Sequence, residues 1–214
     1  FSLEKETIPY WSKFLQGYYD SSGISSDSFD QAVQFSASGD PQLTTSMRDK
    51  DIDLVTTVQA SLWYVGFNML DPVVGGLGED RRKLRQALSI AFDYDEFISI
   101  FLNGRGIPAQ GPIPPGLFGH VEGVAGLNPY VYENRDGQIR RRSIEAARTL
   151  LAEAGYPNGR HAQTGEPLVL YFDTMASGPD AKSRLDWMKK QLDKLGVQLV
   201  VRGTDYNRFQ DKIR

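Results

Sequence analysis

Leu168-Val-Leu-Tyr-Phe172, then Asp180-Ala-Lys-Ser-Arg-Leu-Asp-Trp-Met-Lys-Lys-Gln-Leu-Asp-Lys-Leu195, then Gly196 and Val197-Gln-Leu-Val-Val201, decide the fold class of this chain. The first piece is a short continuous apolar run, the mark of a buried strand, and the last reads as a second strand. The middle piece places Leu185, Met188, Leu192 and Leu195 at helical spacing, and Gly196 stops it. A strand–helix–strand of this length predicts a right-handed crossover between parallel strands. The second half of the chain therefore reads as α/β.

Helical signals extend upstream. Ser143 is placed to cap a helix whose apolar stripe is Ile144, Ala147, Leu150, Leu151 and Ala154, closed by Gly155, Tyr156 and Pro157. Leu84, Ala87, Leu88 and Ala91 form another amphipathic stripe. Asp93 starts a fresh turn with Glu96 as its capping-box partner, and Phe97, Ile100 and Phe101 are expected to be the buried face of that helix. Asn103-Gly104 ends it. Between Gly104 and Gly119, four prolines and five glycines forbid helix and central strand alike. The segment 106–119 is too long and too stiff for a plain connector, and long structureless loops are usually functional.

The first half reads less regularly. Tyr10, Trp11, Phe14, Tyr18 and Tyr19 suggest a short helix after Pro9, and their stripe is either core and interface or a surface on which a ligand stacks; the first is favoured. Residues 41–50 suggest a short helix carrying Leu43 and Met47. Ile52, Leu54 and Val58 suggest an extended segment, and Trp63, Val65 and Phe67 one face of a following strand. At the far end, Tyr206, Phe209 and Ile213 have helical spacing.

Composition limits the chemistry. The 214 residues are 40% hydrophobic, 11% aromatic and 24% charged, within globular norms, and no run of about 18 apolar residues is present. The formal net charge of −3 argues against binding nucleic acid nonspecifically. With no cysteine, thiol nucleophiles, disulfides and cysteine-ligated zinc are excluded. His120 and His161 read as loop residues rather than metal ligands. Gly75-Gly-Leu-Gly78 precedes a helix, but its spacing does not fit a phosphate-binding loop. Asp93, Asp95 and Glu96 could supply acid and base, yet a capped first helical turn explains them better. Arg140-Arg-Arg142 reads as a solvated face rather than an anion site. Phe1 is no initiator Met and the last helical stripe has no cap after it, so a piece of a longer protein is expected.

Five stretches in this order carry a resemblance: Tyr64-Val-Gly-Phe-Asn-Met69, Arg82-Lys-Leu-Arg-Gln-Ala-Leu-Ser-Ile-Ala-Phe-Asp-Tyr-Asp95, Asn103-Gly-Arg-Gly106, Gly111-Pro-Ile-Pro-Pro-Gly116, and Ala147-Arg-Thr-Leu-Leu-Ala-Glu-Ala-Gly-Tyr-Pro157. The series resembles the family 5 extracellular solute-binding proteins, the dipeptide, oligopeptide and nickel-type receptors of ABC importers. It runs from about residue 43 to the end, and Tyr10–Val33 resembles a subgroup of the same family. The resemblance implies a lobe of a type II periplasmic-binding-protein-like fold, with a mixed sheet flanked by helices. Residues 1–58 would end a first lobe and 59–214 would form most of a second, with a hinge near 59–63.

The resemblance also implies a periplasmic or extracellular protein that catalyses nothing and needs no cofactor. It would capture a peptide or other small solute between lobes and pass it to the membrane subunits of an ABC permease, without inserting into the membrane itself. Asn68 would point to the cleft, and Gln110, Pro112, Pro115 and Phe118 would form part of its rim. The family's acidic partner for a peptide amino terminus would lie beyond Arg214. Ligand sites in open α/β sheets gather at strand C-termini, which adds Asp173 to Asn68. Two other classes stay open: the solute-sensing half of a transcription regulator on the same fold, and a hydrolase using Asp93 and Asp95.

Overall fold

The structure is a computed structural model that describes residues 7–36, 40–175 and 179–213. The chain divides into two compact units. The first comprises Phe1–Gln59 with Asp95–Ile107, and the second Ala60–Tyr94 with Pro108–Arg214.

The deciding stretch folds as its pattern requires. Strand β5 (Val169–Thr174) pairs in parallel with β6 (Gln198–Gly203), Tyr171 opposite Val200 and Asp173 opposite Arg202. Helix α7 (Pro179–Asp193) makes the crossover. Leu192 and Leu195 are buried as expected, joined by Trp187 and by Val197 at the entry to β6. The helix ends as a Schellman motif: Val197 N–H donates to the Leu192 carbonyl and Gly196 N–H to that of Asp193. Gly196 and Gly159 meet backbone to backbone here. Both have positive φ, 74° and 73°, and a Cβ on Gly159 would fall 2.1 Å from the Gly196 carbonyl oxygen.

Two more helices complete this core. Helix α4 (Glu79–Ala91) buries Leu84, Ala87, Leu88, Ile90 and Ala91, and α6 (Ile144–Glu153) buries Ala147 and Leu151 against it. Ser143 caps α6 by accepting from Ala146 N–H at 3.2 Å. Tyr156 and Gly155 close it with a second Schellman pair, donating to the carbonyls of Leu151 and Ala152. Lys83 on α4 reaches Glu153 on α6 at 2.9 Å, and Arg148 donates to the Lys194 carbonyl beyond α7. The carboxylate of Glu153 raises the pKa of Lys83, through the hydrogen bond first and its charge second. Helix α8 (Tyr206–Ile213) closes the described chain, with Asp205 Oδ1 accepting from Arg208 N–H at its start.

The first unit has a core of its own. Helix α1 (Thr7–Leu15) contributes buried Trp11, and α2 (Phe29–Ala32) contributes Phe29 and Ala32. Strands β1 (Val33–Phe35) and β2 (Pro41–Leu43) pair antiparallel, Val33 opposite Leu43, and α3 (Thr45–Arg48) adds Met47. Tyr10 and Phe14 pack against this cluster while Tyr18 stands 71% exposed, so most of the aromatic stripe is core.

Several expectations need correction. Residues 41–43 form a strand rather than the start of a helix, because β1 supplies a ladder partner. Residues 52–58 and 64–69 form no strand: among the described residues no neighbouring backbone pairs with them, and a strand exists only through such pairing. Trp63 and Tyr64 are 86% and 80% exposed in consequence. Helix α5 (Tyr94–Leu102) turns Ile98 inward in place of Ile100, since Gly106 returns against Ile98. Among the described residues the strands pair in three two-stranded pieces, two antiparallel and one parallel. The third piece is a hairpin that the sequence reading did not mark, β3 (Tyr132–Arg135) and β4 (Gln138–Arg141). No helix of the described residues is long and apolar enough to cross a membrane.

Candidate functional site

The stiff loop after α5 belongs to no helix or strand over 104–119. Its start is a helix stop at Asn103 and Gly104, with φ of 51° and 74°. Its tip is shaped by turns at Gly116 and Gly119, and His120 Nδ1 lies 2.8 Å from the Ile113 carbonyl oxygen, tying the tip closed.

Four of the expected rim residues lie on this loop, and the structure separates their roles. Phe118 is fully exposed between the two glycine turns, offering an unshielded aromatic face. Pro112 is exposed and Pro115 half-buried. Gln110 is half-buried with both ends of its amide engaged: Nε2 donates to the Pro108 carbonyl at 3.2 Å, and Oε1 accepts from Asn128 N–H at 3.1 Å. Gln110 thus holds the loop to residue 128.

Asn68 and Asp173 lie elsewhere in the second unit. Asn68 is exposed, but it starts a turn instead of ending a strand: its Oδ1 accepts from Leu70 N–H at 3.0 Å and its carbonyl from Asp71 N–H. Asp173 does sit near the C-terminal end of β5, where Lys212 Nζ donates to its Oδ1 at 2.5 Å. Beside it, the Arg202 guanidinium lies 3.7 Å from the Tyr171 ring centre, a cation–π pair on the same strand face. A shallow depression of about 380 Å³, lined by Pro41, Leu43, Arg48, Ile52, Leu54 and Thr56 among others, is in the first unit and contains none of the six residues.

The other candidate chemistries resolve into structural roles. Around the Gly75–Gly78 turn arginines bind backbone carbonyls: Arg85 Nη1 donates to those of Val74 and Gly76, and Arg81 to that of Val73, while the amides of Gly75 and Gly76 bond to the carbonyls of Asp71 and Met69. His161 Nδ1 accepts from the amides of Gln163 and Thr164 at 3.3 Å each, as a loop residue does. Among the described residues no cluster of His, Cys, Asp and Glu could hold a metal ion.

Arg141 corrects the reading of the basic run as a solvated face. It lies on β4 with its side chain only 16% exposed, and Nη2 donates to the carbonyls of Ile90 and Phe92 at 2.7 and 2.8 Å. Those carbonyls end α4, so a cation here also meets the negative end of the helix dipole. Asp93 pairs with Arg141 Nε at 3.5 Å, and the Tyr132 ring lies under the guanidinium at 5.6 Å. Burial raises the pKa of Tyr94, and the nearby Arg141 charge lowers it in part. The sequence signal for this clamp was Asp136-Gly137, a type I′ hairpin turn with φ of 54° and 80°. The pairing of Arg141 with carbonyls some fifty residues away had no local signal.

The family of bacterial extracellular solute-binding proteins, family 5 middle part, matches residues 15–214. A heme-binding protein A from Haemophilus influenzae is 28% identical over 151 residues, 70% of this chain and 23% of that protein. A dipeptide-binding protein from Escherichia coli K12 is 30% identical over 155 residues, 72% of this chain and 25% of that protein. The chain thus spans about a quarter of the length of the curated relatives it matches. The solved structure of HbpA2 from Haemophilus parasuis superimposes with a TM-score of 0.55 at 20% identity, covering 99% of this chain and 35% of that one, and shows the shared fold. With its profile matched from residue 15 to the end, the chain belongs to the family 5 bacterial extracellular solute-binding proteins.

Proposed function

We propose that this chain is a section of a solute-binding protein that captures a peptide or peptide-like solute outside the cytoplasm and delivers it to the membrane subunits of an ABC permease. The family match over residues 15–214 carries this reading. The heme-binding and dipeptide-binding relatives suggest two cargo classes, heme and a short peptide, of which this reading takes the peptide. The loop bearing Phe118 is apolar and uncharged, which favours a solute with an apolar part, held by a few amide and backbone groups. The chain catalyses nothing on this reading, and both histidines serve loop turns.

Within this proposal Asn68, Pro112, Pro115, Phe118 and Asp173 face the solute, and Gln110 supports them. Residues 1–58 end the first lobe and 59–214 form most of the second, with the hinge near 59–63. The change of compact unit between Gln59 and Ala60 supports that hinge, while Asp95–Ile107 groups with the first unit. Closure around the solute would be a shift of population between open and closed arrangements. Calorimetric titration of the full-length protein with dipeptides, glutathione, heme and a nickel chelate tests the reading. Saturable binding of a peptide is expected. Binding of none of the four would overturn it.

A further inference from the structure

Asparagine or aspartate followed by glycine is a step open to spontaneous ring closure, because no side chain shields the glycine nitrogen as it approaches the neighbouring acyl carbon. The chain carries three such steps: Asn103-Gly104, Asp136-Gly137 and Asn158-Gly159. At neutral pH a carboxamide is attacked more readily than a carboxylate, so chemistry alone ranks both asparagines above Asp136. The fold reverses that order. Gly159 is buried, its N–H donates to the Tyr156 carbonyl at 3.0 Å, and its carbonyl accepts from Leu168 N–H at 2.7 Å. Its close approach to the Gly196 backbone leaves no room for the step to turn. Gly104 N–H donates to the Ile98 carbonyl at 3.1 Å, and Asn103 Oδ1 is buried. Asp136 and Gly137 are both exposed at the tip of the β3–β4 hairpin. Among the described residues the Asp136 carboxylate has no ion pair and the Gly137 N–H no acceptor.

We propose that Asp136-Gly137 is a site of spontaneous isoaspartate formation, and that the modification frees Arg141 from the end of α4. The Gly137 nitrogen bonds to Cγ of the protonated Asp136 side chain and gives up its proton. The carboxyl hydroxyl leaves with that proton as water, and a succinimide ring remains. Water then adds to the main-chain carbonyl of the ring, and the bond from that carbonyl to the Gly137 nitrogen breaks. The chain now runs through the side-chain carbonyl, and the carboxylate is the former main-chain one. Nothing is oxidised or reduced, and the water lost on closure is regained on opening, so the mass is unchanged. The backbone of a two-residue turn has gained a methylene. The register of Arg135 opposite Gln138 and Tyr132 opposite Arg141 depends on that turn, whose two residues are both left-handed. Arg141 reaches the Ile90 and Phe92 carbonyls from the far end of the same ladder, beside the bond from Arg142 N–H to the Val131 carbonyl at 2.8 Å. A lost register therefore carries the guanidinium off those carbonyls.

The full-length protein, held in near-neutral buffer at body temperature without any solute, tests the site. Isoaspartate is read with an isoaspartyl methyltransferase label and located by peptide mapping. Label is expected to accumulate at 136–137 ahead of 103–104 and 158–159, and in concentrated urea the two Asn-Gly steps are expected to overtake it. Label arriving first at either Asn-Gly step of the native protein, or none at 136–137, would overturn the proposal. Asp136 leading in urea as well would overturn it too, since the fold would then not be choosing the site. Asp136→Asn keeps the turn, because Asn-Gly suits it equally, and is expected to speed labelling there; an unchanged rate counts against the mechanism. Hydrogen exchange of the chromatographically separated isoaspartate form is expected to show lost protection in 132–135 and 138–142, with 169–174 and 198–203 unchanged. A hairpin that stays fully protected would overturn the release of Arg141.

Discussion

Two stretches of this chain share a strand-like alternation and come to opposite ends. Residues 169–174 and 198–203 form a parallel pair joined through a helix, while residues 62–69 form no strand and keep Trp63 and Tyr64 in solvent. The difference is the partner. The crossover through α7 brings β6 back to β5 within the same stretch, so its ladder is supplied by the sequence that carries it. The Tyr64–Met69 stretch has no such return among the described residues, and apolar alternation without a ladder partner leaves Tyr64 and Met69 exposed while Val65 and Phe67 are only half-buried. Pattern proposes a strand, and connectivity grants it.

The largest effects belong on the finished side. Leu151→Ala, at a site with no exposed surface, should cost about 2–5 kcal/mol in denaturant unfolding, from lost burial and the cavity left behind. Gly159→Ala should cost about 3 kcal/mol by the same measurement, because its Cβ would meet the Gly196 backbone at 2.1 Å in a left-handed conformation. Arg141→Ala should cost about 1–3 kcal/mol by freeing the Ile90 and Phe92 carbonyls. The same variant should push the Tyr94 phenol further up in an ultraviolet titration, since the Arg141 charge that opposes its burial is gone. A phenol that titrates unchanged in the variant would show that this charge does not reach it.

On the unfinished side the same kind of change should do almost nothing. Trp63→Ser should alter the unfolding free energy of this chain by less than about 0.5 kcal/mol, since the ring is 86% exposed. The smallest effect is electrostatic and sits on α7. The hydrogen bond from Lys182 holds the Asp186 pKa below the ordinary carboxylate value, and desolvation opposes it only in part. A lowered folded pKa stabilises above the unfolded value and is lost as pH falls through the folded one. Lys182→Met should therefore reduce stability slightly at neutral pH and by nothing at strongly acid pH, a difference visible in paired melting curves. Both groups are exposed, which keeps the effect small.

How much of this was legible follows from how local each determinant is. The ends of α6 and α7 were readable because Ser143, Gly155 and Gly196 act within their own turn. The face of α5 was misread because six of its nine residues are apolar, and Gly106 chose which of them turned inward. Asp136-Gly137 announced a hairpin in turn chemistry alone, yet the use of Arg141 depended on carbonyls brought near only by the fold. Among the proposed rim residues, Phe118 is exposed, whereas Gln110 could not be read as a tether from its own neighbourhood, because its acceptor role is filled by Asn128. Strand pairing is the most distant determinant of all, and it is where the reading of 52–69 failed.

Amide hydrogen exchange of this chain, compared between residues 62–69 and the strands 169–174 and 198–203, tests that contrast most directly. The account predicts exchange at 62–69 close to that of unstructured peptide and strong protection in both strands of the parallel pair. Equal protection in the two stretches would contradict it.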